Sequence, residues 1–321
     1  PQQMTVSGRW FLHFASYFNG FTQMPAVIGL FSVLFLALAA ALAVSLLGIR
    51  SRALSALSGA LMAAFPAVGY TFLYLFTASA YCFAIFLAVL SVSLARRGRW
   101  HWLAGCLLLA CSMGTYQAYV TVAIGLSLLV IFRETLDPSA SFSATLRLGV
   151  RLMLFLAAGA VLYYGILLVF LQVKDLELLS YLGMDAASSG YPFSRLPGLL
   201  LDTYKQVAAF FFLPGSANTF TSGWMAVLDL AALALGGGCF LLCMGQEGLW
   251  RARWRPLGGL AMLALLPLGI NFGQILSPWS APTPLMKYAF VLVYLAVVLL
   301  ADRALPAAGA GASVLRRRAA P

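Results

Sequence analysis

Charge is what this chain has least of. Only 9% of its 321 residues are Asp, Glu, Lys or Arg, and acids are scarcer than bases, 9 against 20. A soluble domain carries about 25% charged residues, so a water-exposed globule is excluded. Histidine is nearly absent, with only His13 and His101, and the five cysteines (Cys82, Cys106, Cys111, Cys239 and Cys243) form no CxxC pair. A metal cluster therefore lacks its usual ligands, and thiols inside apolar runs read as small buried hydrophobes. GxGxxG, P-loop, GxSxG and HExxH patterns are missing too, which leaves nucleotide hydrolysis and metal-dependent proteolysis without support. No cofactor is evident, and the sequence leaves a divalent cation open. The alternating ten-residue strands of an outer-membrane barrel are also absent.

What fills the chain is apolar length: 62% hydrophobic residues and a mean hydropathy of +0.93. A hydrocarbon core ~30 Å thick takes about 20 apolar residues at 1.5 Å rise. The runs 25–48, 53–71, 78–95, 152–172, 223–244, 257–276 and 285–302 each predict one crossing. The stretch 101–132 holds 32 residues with no charge after His101, too long for one ordinary span and too short for two full ones.

Basic residues decide how that stretch is read, because they cluster between the apolar runs. If 101–132 crosses and returns as two short helices, 15 basic residues face one side, and only Arg9, Lys174, Arg195, Lys205 and Lys287 face the other. A single crossing would invert everything downstream and split them 9 against 11. The positive-inside rule selects the first. The expected fold class is an all-α polytopic membrane protein with about nine transmembrane or half-membrane helices, its residue 1 on the outer, non-cytoplasmic side, which is the periplasmic side if the membrane is a bacterial inner membrane. The whole net charge of +11 then falls on the cytoplasmic side, where it meets anionic lipid of the bilayer. Nucleic-acid binding has no support.

Five segments follow. Residues 1–24 predict an outer interfacial helix, with Trp10, Phe11, Phe14, Tyr17, Phe18 and Phe21 on one face of 8–21 as a membrane anchor. Arg9 at its start suits a phosphate at headgroup depth. Residues 25–172 form a first bundle containing the broken pair 101–132. The break at Gly114-Thr115-Tyr116-Gln117 should lie below the outer surface, where non-helical backbone needs a protein or wet lining. Residues 173–222 form the one sizeable outer loop, with an interfacial helix over 197–213, and serve either substrate contact or as a solvated cap. Residues 223–303 form a second bundle, and 304–321 a cytoplasmic low-complexity basic tail with Arg316, Arg317 and Arg318.

Several polar groups fall at one depth. Asp229 and Asn271 each lie roughly 9 Å below the outer boundary by helical rise. Gln117 falls nearby, and Gln274 closer to the surface. An ionisable group inside a membrane defaults to a functional hypothesis, and the set predicts a shared outer pocket. The alternative for Asp229 is a bond to a neighbouring helix. Tyr81 and Tyr288 fit either an interface or a site, and Lys287 either snorkels or pairs with phosphate.

The order of short motifs matches a known family. Gly8-Arg9-Trp10 precedes an aromatic segment and Pro25. Tyr81 opens a span ending in Arg96-Arg97. Gly114-Thr115-Tyr116-Gln117-Ala118-Tyr119 breaks a helix pair, and Asn271 and Leu285-Met286-Lys287-Tyr288-Ala289-Phe290 close the series. In this order the chain resembles the type II O-antigen glucosyltransferases of bacterial serotype conversion, enzymes of the GT-C architecture.

The resemblance implies transfer of a hexose, glucose, from a polyprenyl-phosphate donor to a lipid-linked polysaccharide acceptor on the periplasmic face of the bacterial inner membrane. Arg9, Tyr81, Tyr116, Gln117, Asp229, Asn271, Gln274, Lys287 and Tyr288 are then the expected substrate-binding residues. The resemblance also places a catalytic acid in the first outer loop, just upstream of residue 1. Ser79-Ala80 stands where relatives often carry a further acid, so this chain is expected to be a fragment whose catalytic residue is unknown. A transporter or flippase, or a non-catalytic partner of polysaccharide assembly, is the alternative reading.

Overall fold

A computed structural model of the chain describes residues 2–19, 24–177, 193–215, 221–246, 248–276 and 283–305. Phe21, the middle of the 173–222 loop with Asp185, and the tail with Arg316 to Arg318 lie outside the described residues. All regular structure among the described residues is helical.

The first long helix, α3 (Pro25–Leu47), opens with proline at its first turn, where the missing N–H is not needed. Ser51 caps α4 (Arg52–Ala64) by accepting from the Leu54 amide. Pro66 then breaks the helix, and α5 (Pro66–Leu73) continues it at an angle. Next come α6 (Leu75–Ala95), α7 (Arg99–Thr115) and α8 (Val120–Thr135). The 101–132 stretch is thus two helices, separated by an extended Tyr116 and a 3-10 turn over Gln117–Tyr119, as the charge count required. The chain continues through α9 (Phe142–Val173), α10 (Leu196–Phe212), α11 (Gly223–Gln246), α12 (Trp254–Ile270) and α13 (Phe272–Leu276). A 3-10 segment over Pro284–Phe290 leads into α14 (Val291–Ala304).

Seven helical units are long and apolar enough to cross a membrane, and α12 is a shorter apolar helix. The Leu75–Ala95 and Pro284–Ala304 units form the centre, each 72% buried over its most apolar stretch, whereas Phe142–Val173 is 28% buried. Peripheral helices turn apolar side chains such as Val161 and Leu230 outward. Lipid tails are as apolar as these side chains, so the helices associate through close packing instead of hydrophobic collapse. Glycine at the crossings makes that possible. A Cβ on Gly105 would meet the Ser91 carbonyl oxygen at 2.8 Å, and one on Gly269 would meet Leu128 at 2.7 Å.

Tertiary contacts collect the arginine clusters at one end. The backbone amides of Arg50 and Ser51 donate to Asp302 at 3.0 and 2.8 Å, and Arg133 donates to the Leu46 carbonyl at 2.9 Å. Arg96 pairs with Glu134 at 3.4 Å. Arg151 donates to Ala95 at 2.7 Å and to the Arg97 carbonyl. Arg255, 6% exposed, donates to the carbonyls of Asp137, Pro138 and Ala140 in the α8–α9 loop. The ends of α3, α6, α8 and α14 therefore meet the starts of α4, α7, α9 and α12, so successive spans alternate in direction.

Three sequence expectations change. Residues 8–21 are not one interfacial helix: α1 (Gln2–Val6) stops at Gly8, and α2 (Leu12–Ala15) follows after a turn, with a 3-10 turn over Ser16–Asn19. Trp10 and Leu12 are buried, while Phe14 and Tyr17 are exposed. The span 257–276 ends at Ile270, because Asn271 leaves helical geometry (φ −115°, ψ 24°). Lys287 does not snorkel; the 3-10 segment turns it inward, to 6% exposure.

Candidate functional site

At the end opposite the arginine clusters, the chain's first residues form a braced turn. Gly8 adopts φ 76°, a left-handed conformation that costs little without a Cβ. Its amide donates to the Thr5 carbonyl at 2.9 Å, and the Arg9 amide donates to Met4 at 2.8 Å. This pair of bonds ends α1 in a Schellman motif and aims Arg9 away from the helix.

The turn is held from outside as well. Gln117 Nε2 donates to the Ser7 carbonyl at 2.8 Å and to the Tyr163 hydroxyl at 3.2 Å. Tyr163 in turn donates to the Gly8 carbonyl at 3.0 Å. The Phe11 amide donates to the Gly114 carbonyl at 2.8 Å. Trp10 lies against Gly114 and stacks on Phe170, with centroids 5.8 Å apart and 15° between planes. The α7–α8 break and α9 thus lock the segment carrying Arg9.

Arg9 Nη1 donates to the Tyr81 hydroxyl at 3.2 Å, and its Cζ lies 5.0 Å from the Tyr116 ring centroid. Tyr116 stacks on Tyr81 at 4.8 Å. A desolvated cation over an aromatic face is stabilised by about 2 kcal/mol, which offsets only part of the cost of removing a guanidinium from water. The ion pairs among the described residues, Arg96–Glu134 and Lys205–Asp202, do not involve Arg9. Arg9 Nε is buried without an acceptor, and so is the indole Nε1 of Trp10 beside it in sequence. Buried donors normally have partners. A guanidinium N–H left without an acceptor is the chemistry that receives an anion.

The other predicted residues make different contacts. Tyr288 connects to Tyr81 through Tyr119, by ring contacts of 6.4 and 6.3 Å, and it donates to the Met62 carbonyl at 3.1 Å. Asp229 accepts from the Tyr294 hydroxyl at 2.6 Å, the inter-helix bond that was the alternative for it. Asn271 donates to Gln206 of α10 at 3.2 Å. Gln274 is 8% exposed with Oε1 unpartnered. The Lys287 ammonium lies 5.7 Å from the Phe210 ring centroid. The structure therefore gathers Arg9, Tyr81, Tyr116 and Gln117 through these contacts, whereas Asp229 and Asn271 bond to side chains of other helices and Lys287 lies over Phe210. Equal depth along the spans says nothing of the position around the bundle.

Sequence reasoning missed Tyr163. It is 6% exposed, while its neighbour Tyr164 is 54% exposed, and the run Leu162-Tyr163-Tyr164-Gly165 does not distinguish them. Among the described residues no group of His, Cys, Asp or Glu is arranged to hold a metal ion.

The fold and this cluster define a polytopic α-helical membrane protein with an arginine that has no ion pair among the described residues, braced at one end of the bundle. A family model described as glucosyl transferase GtrII matches residues 1–300, and the chain belongs to that family. The resemblance carried by the short ordered motifs is thereby established. No curated protein and no solved structure matches the chain.

Proposed function

We propose that this protein transfers glucose from a polyprenyl-phosphate donor to a lipid-linked polysaccharide acceptor, at the periplasmic face of the bacterial inner membrane. The observation that carries this reading is Arg9: a half-buried guanidinium on a turn braced by four hydrogen bonds, with Nε unpartnered and no ion pair among the described residues. Stabilising a developing anion is the largest catalytic contribution a fixed donor can make. In glucosyl transfer the bond between C1 and the phosphate oxygen breaks, charge grows on the departing phosphate, and the acceptor oxygen bonds C1 while losing its proton. Arg9 receives the phosphate, Tyr116 and Tyr81 hold Arg9, and Gln117 positions the turn. The base is not among the groups gathered at Arg9.

Membership of a glucosyl transferase family favours this reading over transport or a passive partner role. The positive-inside count places Arg9 outside, the side an acceptor reaches from the periplasm. The test is transfer of labelled glucose from polyprenyl-phosphate glucose in membranes containing the protein. Arg9→Ala is expected to lower transfer about 100-fold, the scale of losing one oxyanion donor, and Arg9→Lys to recover part of it. Full transfer by Arg9→Ala, with the protein present at normal level, removes the phosphate role.

A further inference from the structure

A lateral groove of about 360 Å³ lies between α4, α10, α11 and α14, away from the Arg9 cluster. One wall is the α4 stripe Leu57, Ala60, Leu61 and Ala64, spaced i, i+3, i+4, i+7 so that all four share one face. The stripe runs ~10 Å along the helix at 1.5 Å per residue, and the two alanines cut a notch of ~6 Å in it. Leu57 is 46% exposed, and Leu228 and Leu230, flanking Asp229 on α11, are 67% and 62% exposed. In helices of membrane length, what those surfaces meet is lipid.

Among its described lining residues the groove has one charge. Asp229 lines it, six residues from the start of α11, and Oδ1 accepts from Tyr294. That is the carboxylate's one hydrogen bond among the described residues. The neighbouring Thr221 hydroxyl is already committed to the Phe210 carbonyl. A carboxylate inside the apolar layer is costly unless a donor or cation meets it. An apolar trough with a negative end fits a hydrocarbon chain whose head brings N–H donors and positive charge. It repels a head that is only anionic, so the phosphate end of the proposed sugar donor is the wrong occupant. We propose that the groove holds one phosphatidylethanolamine molecule, with a chain along α4 and its primary ammonium on Asp229. Three N–H donors and a full charge match the acceptor left open on the carboxylate. The proposal does not depend on the transfer reaction.

The experiment compares lipids retained by the intact protein after reconstitution in bilayers of equal phosphatidylethanolamine, phosphatidylcholine and phosphatidylglycerol, read by native mass spectrometry. Phosphatidylethanolamine is expected to be retained about tenfold over phosphatidylcholine, whose quaternary ammonium has no N–H to donate, the ratio of one additional ion-pair hydrogen bond. Asp229→Asn preserves an acceptor for Tyr294 and is expected to abolish the preference while the thermal midpoint stays near wild type. Ala60→Trp, which fills the notch, is expected to remove the retained lipid altogether. Equal retention of the three lipids, preference for phosphatidylglycerol, or an unchanged preference in Asp229→Asn overturns the proposal.

Discussion

Replacing Gly114 by alanine puts a methyl carbon 2.6 Å from Trp10 Cε2, 2.8 Å from Cζ2 and 3.0 Å from Phe11 Cβ. Carbon atoms rest at about 3.5–4.0 Å, so Trp10 or α7 must move by roughly 1 Å. Neither is free to do so, because Trp10 is stacked on Phe170 and the Phe11 amide is bonded to Gly114 itself. At an open helical glycine the same change gains about 1 kcal/mol from helix propensity. Here overpacking costs about 1–3 kcal/mol, so the net expectation is a small loss of stability. The functional effect is larger, since Trp10 follows Arg9 directly, and a misplacement of about 1 Å can cost on the order of 100-fold in rate. Glucosyl transfer is therefore expected to fall by about 10- to 100-fold with the folded protein still present, and Trp10→Phe, a smaller ring, to restore part of it. Gly238→Ala is the control: it lies in α11 with nothing within 4 Å of the added carbon. Thermal unfolding and transfer rates measured on both variants decide the matter. If Gly114→Ala behaves like Gly238→Ala in both assays, the Trp10–Gly114 contact does not position Arg9.

Tyr163→Phe removes the donor to the Gly8 carbonyl, a loss of about 1 kcal/mol; it is expected to lower kcat/KM for the donor roughly fivefold, the loss falling mainly in kcat, measured by varying polyprenyl-phosphate glucose. Arg255→Met leaves the α8–α9 loop carbonyls of Asp137, Pro138 and Ala140 without their donor; hydrogen bonds to charged groups are worth about 1.5–3 kcal/mol each, so a clear fall in thermal midpoint is expected, with no change in KM. Asp137 lies in that loop, where hydrogen bonds from the Ser139 hydroxyl and amide hold its carboxyl below the ordinary range. A folded-state value below the unfolded one stabilises above the ordinary carboxylate range, about 3.9, and fades as pH falls through the lower folded value. The midpoints of wild type and Asp137→Asn are thus expected to differ near pH 7 and to converge in acid.

The alternation of the spans was legible in the amino-acid order, because arginine beside an apolar run has few tolerable places. Placing 15 of 20 basic residues on one side was enough to divide 101–132 into two helices, and the break falls at Tyr116 to Tyr119 as that division requires. The family was legible too, through short motifs in order. The local ends of helices were less so. Gly8 stops α1 by adopting a left-handed backbone, and the aromatic periodicity of 8–21 gave no sign that Trp10 would turn inward.

The candidate site shows the same division more sharply. Hydropathy and charge specify how deep a residue lies and toward which end, since the bilayer is one-dimensional in that respect. They do not specify its angle around the bundle, which depends on which helices pack, and that depends on small-residue contacts such as Gly105 against Ser91 and Gly269 against Leu128. Asp229, Asn271 and Gln117 were grouped by depth alone, and in the structure their hydrogen-bond partners differ: Tyr294, Gln206, and the Ser7 carbonyl with Tyr163. Only the packed structure brings Tyr163 to the Gly8 carbonyl and sets Arg9 over Tyr116, because those contacts join residues distant in the chain through side-chain directions that no local pattern encodes.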